Sequence, residues 1–411
     1  MDVGSEVRFR HFVYMKHDIV IVGGGVPGLT LALALAQSTS LSVAVLEARD
    51  CVRLFKRDAR VSAITQASKR IFKKLGVWSA IHAQAIQSFT RIECWDEAGN
   101  EIDFHCETLA MSALGYIVEN QAIQFVLQEA LQSYCTAQIF YSTKLIALHE
   151  KEDAIMLSTD TGQVFHAKLV VAADGAMSFV RERAQIILDK KDYNEEAIVA
   201  TITTTAMHEQ IARQCFLKTG PVALLPLSDS YRTSLVWTLP TAEAKQYMDL
   251  KPDDFCKALT CVFSKRFSEV VVVEGRQSFR LCKQQAQQCV KPRIALLGDA
   301  LHTVHPLAGQ GMNMGLLDAA ALFEIIHTAI AHHRDFGSHA VLRRYARWRK
   351  ADNFPMSVGI DWIKQLFAAN TPVISLVRVS GLQILNRFPT IKNYFARYAV
   401  GERNGLPKLA Q

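Results

Sequence analysis

The chain has 411 residues, of which 50% are hydrophobic and 21% charged, and its formal net charge is +7. This length suits two to three lobes with large cores, and the composition excludes a disordered chain, a collagen and a disulfide-dense scaffold. Nine scattered cysteines without a CxxC pair predict reduced thiols and no metal site, and the mild positive charge gives little support to nucleic-acid binding.

A charge-free stretch at residues 19–46 opens the predicted fold. By length it could cross a membrane, and with the cations ahead of it the stretch also imitates a signal peptide. Glycines interrupt it, however, after residues 18–22, which predict a short buried strand. Residues 29–37 are rich in Ala and Leu and predict a helix, and residues 42–46 predict a second strand. The stretch is therefore interpreted as a βαβ unit, and no other segment is expected to span a membrane.

The turn after the first strand has the spacing of a dinucleotide-binding loop, Gly23-x-Gly25-x-x-Gly28. The first glycine allows the tight turn, the second lets backbone approach a pyrophosphate, and the third lets the helix pack on the strand. The helix that follows offers free N–H groups to the phosphates. Glu47 ends the second strand, about 20 residues after the loop, where an acidic side chain accepts hydrogen bonds from ribose hydroxyls. Because it would repel a 2′-phosphate, the site suits FAD or NAD and disfavours NADP.

Two later motifs distinguish FAD from NAD. A buried strand at 169–173 runs into Asp174-Gly175, and another at 294–297 leads to Gly298-Asp299. A glycine-rich segment then opens a helix, whose backbone N–H groups can face the pyrimidine edge of a flavin. The residues expected there are Gly309, Gly311, Met312 and Asn313. Binding at both ends suits one long dinucleotide, so FAD is the expected cofactor.

Together these motifs resemble those of the FAD-dependent aromatic hydroxylases with the para-hydroxybenzoate hydroxylase fold, and within them the ubiquinone-biosynthesis hydroxylases. The resemblance runs from residue 16 to about residue 402, and the His-Pro-Leu-Ala-Gly-Gln-Gly run is its most specific part. The segments that carry it are 60–64 (RVSAI), 75–78 (LGVW), 118–120 (VEN), 223–228 (ALLPLS), 302–311 (HTVHPLAGQG) and 351–354 (ADNF).

The resemblance implies an α/β fold, in which a Rossmann-like FAD-binding domain carries an inserted β-rich substrate domain and a helical C-terminal region. We expect the discontinuous FAD-binding domain at 15–185 and 286–335. The substrate-binding sheet is then expected at 186–285 and the helical region at 336–411.

The resemblance also implies the roles of individual residues. Those that would hold the adenosine, pyrophosphate and ribityl chain are Gly23, Gly25, Gly28, Glu47 and Asp299. Asp174 and Gly175 match a motif placed where the flavin pyrophosphate and the nicotinamide cofactor meet. Arg60 would reach the FAD phosphates, with a surface cation as its alternative role. Many relatives carry Arg where this chain has Asn120 and Gln121, so Gln121 is expected to contribute only neutral hydrogen bonds to the cofactor.

The implied chemistry is hydroxylation of an electron-rich phenol ring in ubiquinone biosynthesis. Reduced FAD would bind O2 at its C4a carbon, and the resulting hydroperoxide would deliver an electrophilic OH while the protein excludes water. His305 precedes the loop beside the flavin, where it can accept or relay the phenol proton, or serve as a structural histidine. No second GxGxxG exists. Either NAD(P)H binds transiently near Asp174, or a separate reductase supplies the electrons.

Substrates of this family carry long isoprenoid tails, so the resemblance implies an apolar groove for a polyprenylated phenol. Candidate pocket residues, for which core packing is the alternative, are Phe216, Pro226, Leu227 and Pro306. The amphipathic stretches of residues 336–411 can dock on a membrane or on other ubiquinone-biosynthesis proteins, or close over the FAD-binding domain. The expected location is cytoplasmic, with peripheral contact at the inner membrane as a second expectation, and no nucleic acid is expected as a partner.

Other functions on this fold stay open from the residues alone. A prenyl-chain reductase or a hydroxylase of another aromatic substrate fits the same spacing. A halogenase is disfavoured because no Trp-x-Trp-x-Ile signature occurs, and an NAD dehydrogenase does not explain Gly298-Asp299. A non-catalytic FAD scaffold conflicts with the intact motifs. The segments resemble more than one subgroup, so no ring position is assigned.

Overall fold

A computed structural model describes residues 13–51, 60–263, 267–305, 309–368 and 387–411. The strands are β1 (Val13–Val22), β2 (Val43–Leu46), β3 (Val61–Ile64), β4 (Ile86–Phe89), β5 (Arg91–Asp96), β6 (Glu101–His105), β7 (Gly115–Glu119), β8 (Ala137–Phe140), β9 (Leu145–Glu150), β10 (Ile155–Thr159), β11 (Gln163–Ala172), β12 (Leu188–Thr204), β13 (Ile211–Leu217), β14 (Gly220–Pro226), β15 (Arg232–Pro240), β16 (Val270–Ala286), β17 (Val290–Lys291), β18 (Ile294–Leu296) and β19 (His302–Thr303). The helices are α1 (Val26–Ser38), α2 (Gln66–Lys74), α3 (Trp78–Ala85), α4 (Asn120–Leu131), α5 (Phe179–Arg183), α6 (Thr241–Asp249), α7 (Pro252–Phe263), α8 (Gln310–Ala331), α9 (His339–Ala368) and α10 (Pro389–Ala399).

The first sheet has the order β17-β18-β11-β1-β2-β8, and β9 and β10 extend it beside β11. From β18 to β8 the neighbouring strands are parallel. Residues 19–22 of β1 and all of β2 are apolar and buried on both faces, as parallel strands between helices require. The predicted βαβ unit is confirmed, although β1 begins five residues before the predicted strand, at Val13. The predicted α/β class is confirmed as well.

The second sheet has the order β19-β16-β12-β15-β14-β13-β5-β6. Helices α6 and α7 pack on one face through a buried core that includes Trp237 and Phe255. The sheet is larger than the segment 186–285 in which the sequence predicts it. Strands β5 and β6 also belong to it. Strand β5 pairs in parallel with β13, beginning with Arg91 beside Ile211. Without this pairing, β13 would be the edge strand of the sheet. The division into domains stays a prediction.

A third, small sheet has the order β3-β7-β4, and β5 and β6 of the second sheet lie between β4 and β7 along the chain. Helix α10 packs against the neighbouring cluster through Ala396 and Val400, together with Phe89 of β4 and Leu109. The C-terminal region therefore contacts the rest of the fold at this point.

Helix α8 is long and apolar enough, by length and composition, to cross a membrane, which the sequence analysis did not expect of any segment beyond 19–46. In the fold, 72% of its most apolar window is buried. Leu316 and Ala320 of α8 belong to the same core as Leu29 and Leu33 of α1. The apolar composition of α8 is thus explained by packing inside the protein.

Candidate active site

Four predicted motifs meet at one edge of the first sheet. The strands β18, β11, β1 and β2 are neighbours and run parallel, so their carboxyl ends lie side by side. Gly298-Asp299 follows β18, Asp174-Gly175 follows β11, the glycine loop follows β1, and Glu47 follows β2. In open α/β sheets this edge is where ligands bind.

The glycine loop is shaped by close backbone contacts. Gly23 has a φ of +108°, and a Cβ atom there would overlap the carbonyl oxygen of Ala173. A Cβ on Gly28 would overlap the carbonyl oxygen of Gly23. A Cβ on Gly25, by contrast, would meet no heavy atom within 4 Å. Gly23 and Gly28 are thus required by packing, whereas Gly25 leaves the backbone open to an approaching ligand.

Glu47 is buried at the end of β2 and stabilises the loop. Its Oε2 accepts a hydrogen bond from the N–H of Gly24 at 2.7 Å, and its Oε1 accepts one from the N–H of Arg49 at 2.9 Å. Gln124 of α4 donates to the carbonyl oxygen of Gly24 at 2.8 Å. Gln124 was not among the residues predicted from the sequence, because it lies 100 positions from Gly24 along the chain. Its position about one helical turn after Asn120, which the sequence had placed near the cofactor, could have indicated this contact.

The Asp174-Gly175 turn holds an incompletely paired carboxylate. Asp174 accepts a hydrogen bond from the N–H of Val180 through Oδ2 at 3.2 Å, and its buried Oδ1 has no partner among the described residues. Burial raises the pKa of Asp174, while hydrogen bonds from Ser178 and nearby backbone N–H groups oppose the rise. Arg181 donates to the carbonyl oxygens of Ala176 and Ala300, each at 2.8 Å. One side chain therefore joins the two acidic turns.

Asp299 lies in a short 3-10 turn, Gly298–Ala300, and its side chain is accessible. Protein atoms nevertheless surround it closely. The resulting desolvation raises the pKa of Asp299, with His302 opposing this shift and Asp318 adding to it. The N–H of Gly298 donates to Asp318 Oδ2 at 3.0 Å, which fixes the turn from behind. Asp299 is thus an exposed residue on a turn that a buried carboxylate holds.

Helix α8 begins beside this turn. Gly309 precedes it with a φ of +58°, and the first backbone N–H groups of the helix, through Met312, have no acceptor within the helix. Asn313 is different, since its N–H is the first with such an acceptor. Its side-chain Oδ1 accepts from the N–H of Thr65 at 3.0 Å and from Ser68 at 2.8 Å. Asn313 thus fastens the start of α8 to α2, while Gly311 and Met312 lie in the first turn, whose N–H groups have no acceptor within the helix.

Arg60 and Gln121 lie at the same corner of the site. The carbonyl oxygen of Arg60 accepts from the N–H of Asn120 at 3.1 Å, and Gln121 follows in the first turn of α4. The Arg60 residue is exposed. The start of α4 therefore brings both residues to the side of the glycine loop that Gln124 contacts.

Two histidines follow β18. His302 is buried, and its Nε2 lies 2.7 Å from Asp318 Oδ2, which gives it a structural partner. His305 is buried as well, and its Nε2 lies 3.3 Å from Glu195 Oε2. The ring of Tyr193 meets that of His305 edge-on at a centroid distance of 5.2 Å. The His305–Glu195 contact joins the segment after β19 to β12 of the second sheet. Within the described ranges, no three His, Cys, Asp or Glu side chains are grouped so that they could hold a metal ion.

The predicted pocket residues do not form one wall. Phe216 and Leu227 lie at opposite ends of the β13–β14 hairpin, because Phe216 pairs with Pro221, near the start of β14. Leu227 belongs to a cluster that includes Val61 and Ala63 of β3 in the third sheet. Pro226 alternates with Leu225 along β14 and therefore points to the face that α6 and α7 cover. Pro306 lies outside the described residues.

The face of the second sheet opposite α6 and α7 is only partly buried in its centre. Across four strands, the side chains directly opposite one another there are Cys94, Gln214, Ala223 and Val236. Burial, with the nearby carboxylates of Asp103 and Glu93, raises the pKa of the Cys94 thiol to about 12, so this thiol stays neutral. The row offers one neutral amide, that of Gln214, on an otherwise weakly polar surface.

Comparison with known proteins places the chain in a defined family. The model of the FAD binding domain family matches residues 16–352. The chain is 35% identical over 387 residues to the 3-demethoxyubiquinol 3-hydroxylase of Escherichia coli, covering 93% of this chain and 98% of the relative. It is 34% identical to the ubiquinone hydroxylase UbiL of Rhodospirillum rubrum, covering 93% and 89% of the two chains. It is 30% identical to the mitochondrial ubiquinone biosynthesis monooxygenase COQ6 of Danio rerio, again covering 93% and 89%.

Solved structures share the fold at lower identity. The p-nitrophenol 4-monooxygenase PnpA of Pseudomonas putida DLL-E4 superposes with a TM-score of 0.79 at 17% identity, covering 96% of this chain and all of that one. PqsL of Pseudomonas aeruginosa, in complex with 2-aminobenzoylacetate, superposes with a TM-score of 0.73 at 21% identity, covering 90% and 99%. These likenesses establish the fold.

Proposed function

The chain belongs to the FAD binding domain family, and on that premise we propose that it is an FAD-dependent monooxygenase hydroxylating the ring of a prenylated phenol in ubiquinone biosynthesis. The observation that carries the proposal is the meeting of four sequence-distant motifs at the carboxyl ends of β18, β11, β1 and β2. Three relatives, each matching 93% of the chain, are a 3-demethoxyubiquinol 3-hydroxylase, a ubiquinone hydroxylase and a ubiquinone biosynthesis monooxygenase.

The edge of the first sheet fits FAD. The open side of Gly25 can accept a pyrophosphate, and Glu47 can accept hydrogen bonds from the adenosine ribose. The accessible Asp299 can bind the ribityl chain, with Arg60, Gln121, Asp174 and Gly175 at the flanks. The N–H groups of Gly311 and Met312 can face the pyrimidine edge of the flavin. When bound, FAD supplies the activation of O2 that ring hydroxylation requires.

The residues of this chain would orient the substrate and handle its proton. The partly buried face of the second sheet can cover the ring and exclude water. The Nε2–H of His305 can donate to Glu195, which orients the ring, and Nδ1 is then the nitrogen that can accept the phenolic proton. A phenol that loses its proton donates electron density to its ring, which favours attack by an electrophilic oxygen. In this proposal His305 is the base.

The relatives also suggest the class of substrate and the source of electrons. We infer a polyprenylated phenol or quinol as substrate, O2 as co-substrate and NAD(P)H or a separate reductase as electron donor. Asp174 and Gly175 mark the place where a nicotinamide cofactor would approach. Such a substrate lies in a membrane, so a cytoplasmic protein that contacts the inner membrane peripherally is expected.

The experiment that tests this function asks whether an oxygen atom of O2 is transferred to the ring of the phenol. The purified FAD-loaded chain is given NADH or NADPH, a short-tailed prenylated phenol and isotopically labelled dioxygen. We expect one labelled oxygen on the ring and none on the tail. A tail that gains hydrogen while the ring stays unlabelled would identify a prenyl-chain reductase instead. Peroxide as the sole product with every phenol tested, at full FAD loading, would contradict ring hydroxylation.

A further inference from the structure

Helix α10 turns large apolar side chains towards solvent. Phe388, just before its first residue, is 50% exposed, and along the helix Ile391 is 46%, Tyr394 68% and Phe395 59% exposed. At about 100° per residue, these four side chains fall within an arc of roughly 120°. We call this arc the aromatic surface of α10. An exposed apolar cluster on one helix face marks a contact site more often than isolated exposed residues do.

Cations border this arc, and no acidic residue interrupts it. From Arg387 to Gly401 the chain holds three cations and no Asp or Glu. Arg387 and Arg397 are exposed, and Lys392 is half-buried on the other flank, with its Nζ 5.4 Å from the centre of the Phe104 ring. A helix that presents aromatic and aliphatic side chains between cations is complementary to an anionic lipid surface.

The opposite face of α10 anchors the helix beside the candidate site. Ala396 and Val400 pack into the cluster that contains Leu225 and Leu227 of the second sheet. Arg397 Nη2 donates to the carbonyl oxygen of Leu109 at 2.8 Å. The aromatic surface is therefore about one helix diameter, roughly 10 Å, from a wall of the proposed substrate groove.

We propose that the aromatic surface of α10 docks the protein on an anionic phospholipid membrane, so that a prenylated substrate passes from the bilayer into the groove. This inference rests on the proposed function for its choice of substrate, and on the exposure and charge of α10 for its choice of partner. Phe388, Ile391 and Phe395 insert at the boundary of headgroups and acyl chains, and Tyr394 keeps its hydroxyl in the headgroup layer. Arg387 contacts lipid phosphates.

The test measures vesicle binding by the FAD-loaded protein without substrate. Vesicles of phosphatidylglycerol mixed with phosphatidylcholine are compared with vesicles of phosphatidylcholine alone, at low and at high salt. We expect binding to the anionic vesicles that weakens with salt. The double variant Tyr394→Ser/Phe395→Ser should bind about ten-fold more weakly, and Arg387→Glu should bind several-fold more weakly.

Tyr14→Ser is the matched control. Tyr14 is 67% exposed, as Tyr394 is 68% exposed, but it lies on β1, so its replacement should leave vesicle binding unchanged. The proposal is overturned if the wild type binds neither vesicle, or if the α10 variants bind as the wild type does. It is also overturned if the double variant loses self-association or a protein partner while vesicle binding is absent. Should the double variant unfold, Arg387→Glu, which alters one exposed charge, decides.

A second measurement separates this inference from the proposed function. The α10 variants should keep full turnover of a short-tailed phenol in solution and lose turnover of a long-tailed phenol presented in vesicles. If the wild type hydroxylates no phenol at all, the proposed function fails whatever the vesicle result. If it hydroxylates both phenols and the variants match it on both, the docking inference fails alone.

Discussion

Asp318 and Arg349 form an ion pair closed to solvent, with Asp318 Oδ1 2.6 Å from Arg349 Nε and neither side chain more than 1% exposed. The other carboxylate oxygen, Oδ2, accepts the N–H of Gly298 and lies against His302. Arg349 also reaches Asn353 at 2.6 Å. A charge on α8 thus links the turn that presents Asp299 to helix α9. The geometry of the candidate cofactor site depends on a network that contacts no cofactor itself.

Replacing Asp318 by Asn should destabilise the fold by about 3 kcal/mol, because Arg349 loses its fully buried carboxylate partner and keeps only Asp352 among the carboxylates that the structure describes. Burial would raise the pKa of Asp318, but interaction with His302 and Arg349 lowers it to about 2. Since this folded pKa lies below the ordinary value of 3.8, the stabilisation is complete above about pH 4 and is lost as the pH falls towards 2. Urea unfolding of both proteins should therefore differ most near neutral pH and least in acid.

Asp335→Asn is the control for this experiment. Asp335 pairs with Arg293 at 2.9 Å, but its side chain is 45% exposed, so its replacement should cost no more than about 1 kcal/mol. A stability loss for Asp318→Asn as small as that of Asp335→Asn would refute the role given to the buried network.

The glycines of the loop should separate folding from cofactor binding. Gly25→Ala should fold normally, because its Cβ meets no heavy atom within 4 Å, yet bind FAD about ten-fold more weakly or worse, because the methyl group blocks the pyrophosphate. Gly28→Ala should instead lose about 1–3 kcal/mol of stability, because its Cβ overlaps the carbonyl oxygen of Gly23. Thermal unfolding and fluorescence titration with FAD measure the two effects. If Gly25→Ala and the wild type bind FAD with equal affinity, the pyrophosphate does not bind beside Gly25.

Glu47→Gln should keep the fold and weaken FAD binding. The amide can still accept the N–H of Gly24, but a neutral acceptor holds ribose hydroxyls less strongly than a carboxylate does. The loss should be about ten-fold in dissociation constant, since hydrogen bonds to charged groups contribute about 1.5–3 kcal/mol. Glu150→Gln, on the exposed end of β9, is the control and should bind FAD as the wild type does. An unchanged affinity for Glu47→Gln would exclude this residue from the adenosine site.

His305→Gln should lower kcat for phenol hydroxylation by about 10²-fold, because the proposed base is lost. Glu195→Gln should cost less and should change the pH dependence of kcat, because Glu195 would orient His305 rather than touch the substrate. FAD affinity and unfolding temperature should stay near those of the wild type in both. His17→Gln, a histidine on β1, is the control. A wild-type kcat in His305→Gln at every pH would reduce His305 to a structural contact.

Short sequence patterns predicted those candidate site residues that lie at the ends of strands. The glycine loop, Glu47, Asp174 and Asp299 each end or follow a short apolar strand, and such strands can be recognised within a few residues. The side chains that hold these turns in place through hydrogen bonds could not be predicted in the same way. Asp318, Arg349 and Gln124 act on turns that are far away in sequence, and no local period indicates that contact.

In the second sheet, one feature could not be predicted from the sequence and another could have been but was not. The pairing of β5 with β13 joins residues more than a hundred positions apart, which a single sequence does not encode locally. The orientation of Pro226, however, could have been read from the sequence. Strand side chains alternate, so Pro226 and Leu227 could not both face the groove. Phe216 and Leu227 remain candidates at separate ends of the hairpin.

The central claim, ring hydroxylation in ubiquinone biosynthesis, is tested most directly in Escherichia coli strains that each lack one ubiquinone ring hydroxylase, including the 3-demethoxyubiquinol 3-hydroxylase. The chain and its Gly25→Ala variant are expressed in each strain, and the quinones are extracted and analysed. We predict that the wild-type chain restores ubiquinone in at least one strain, which identifies the ring position, and that Gly25→Ala restores less. Yellow, FAD-loaded protein in every strain without any ubiquinone would contradict the account.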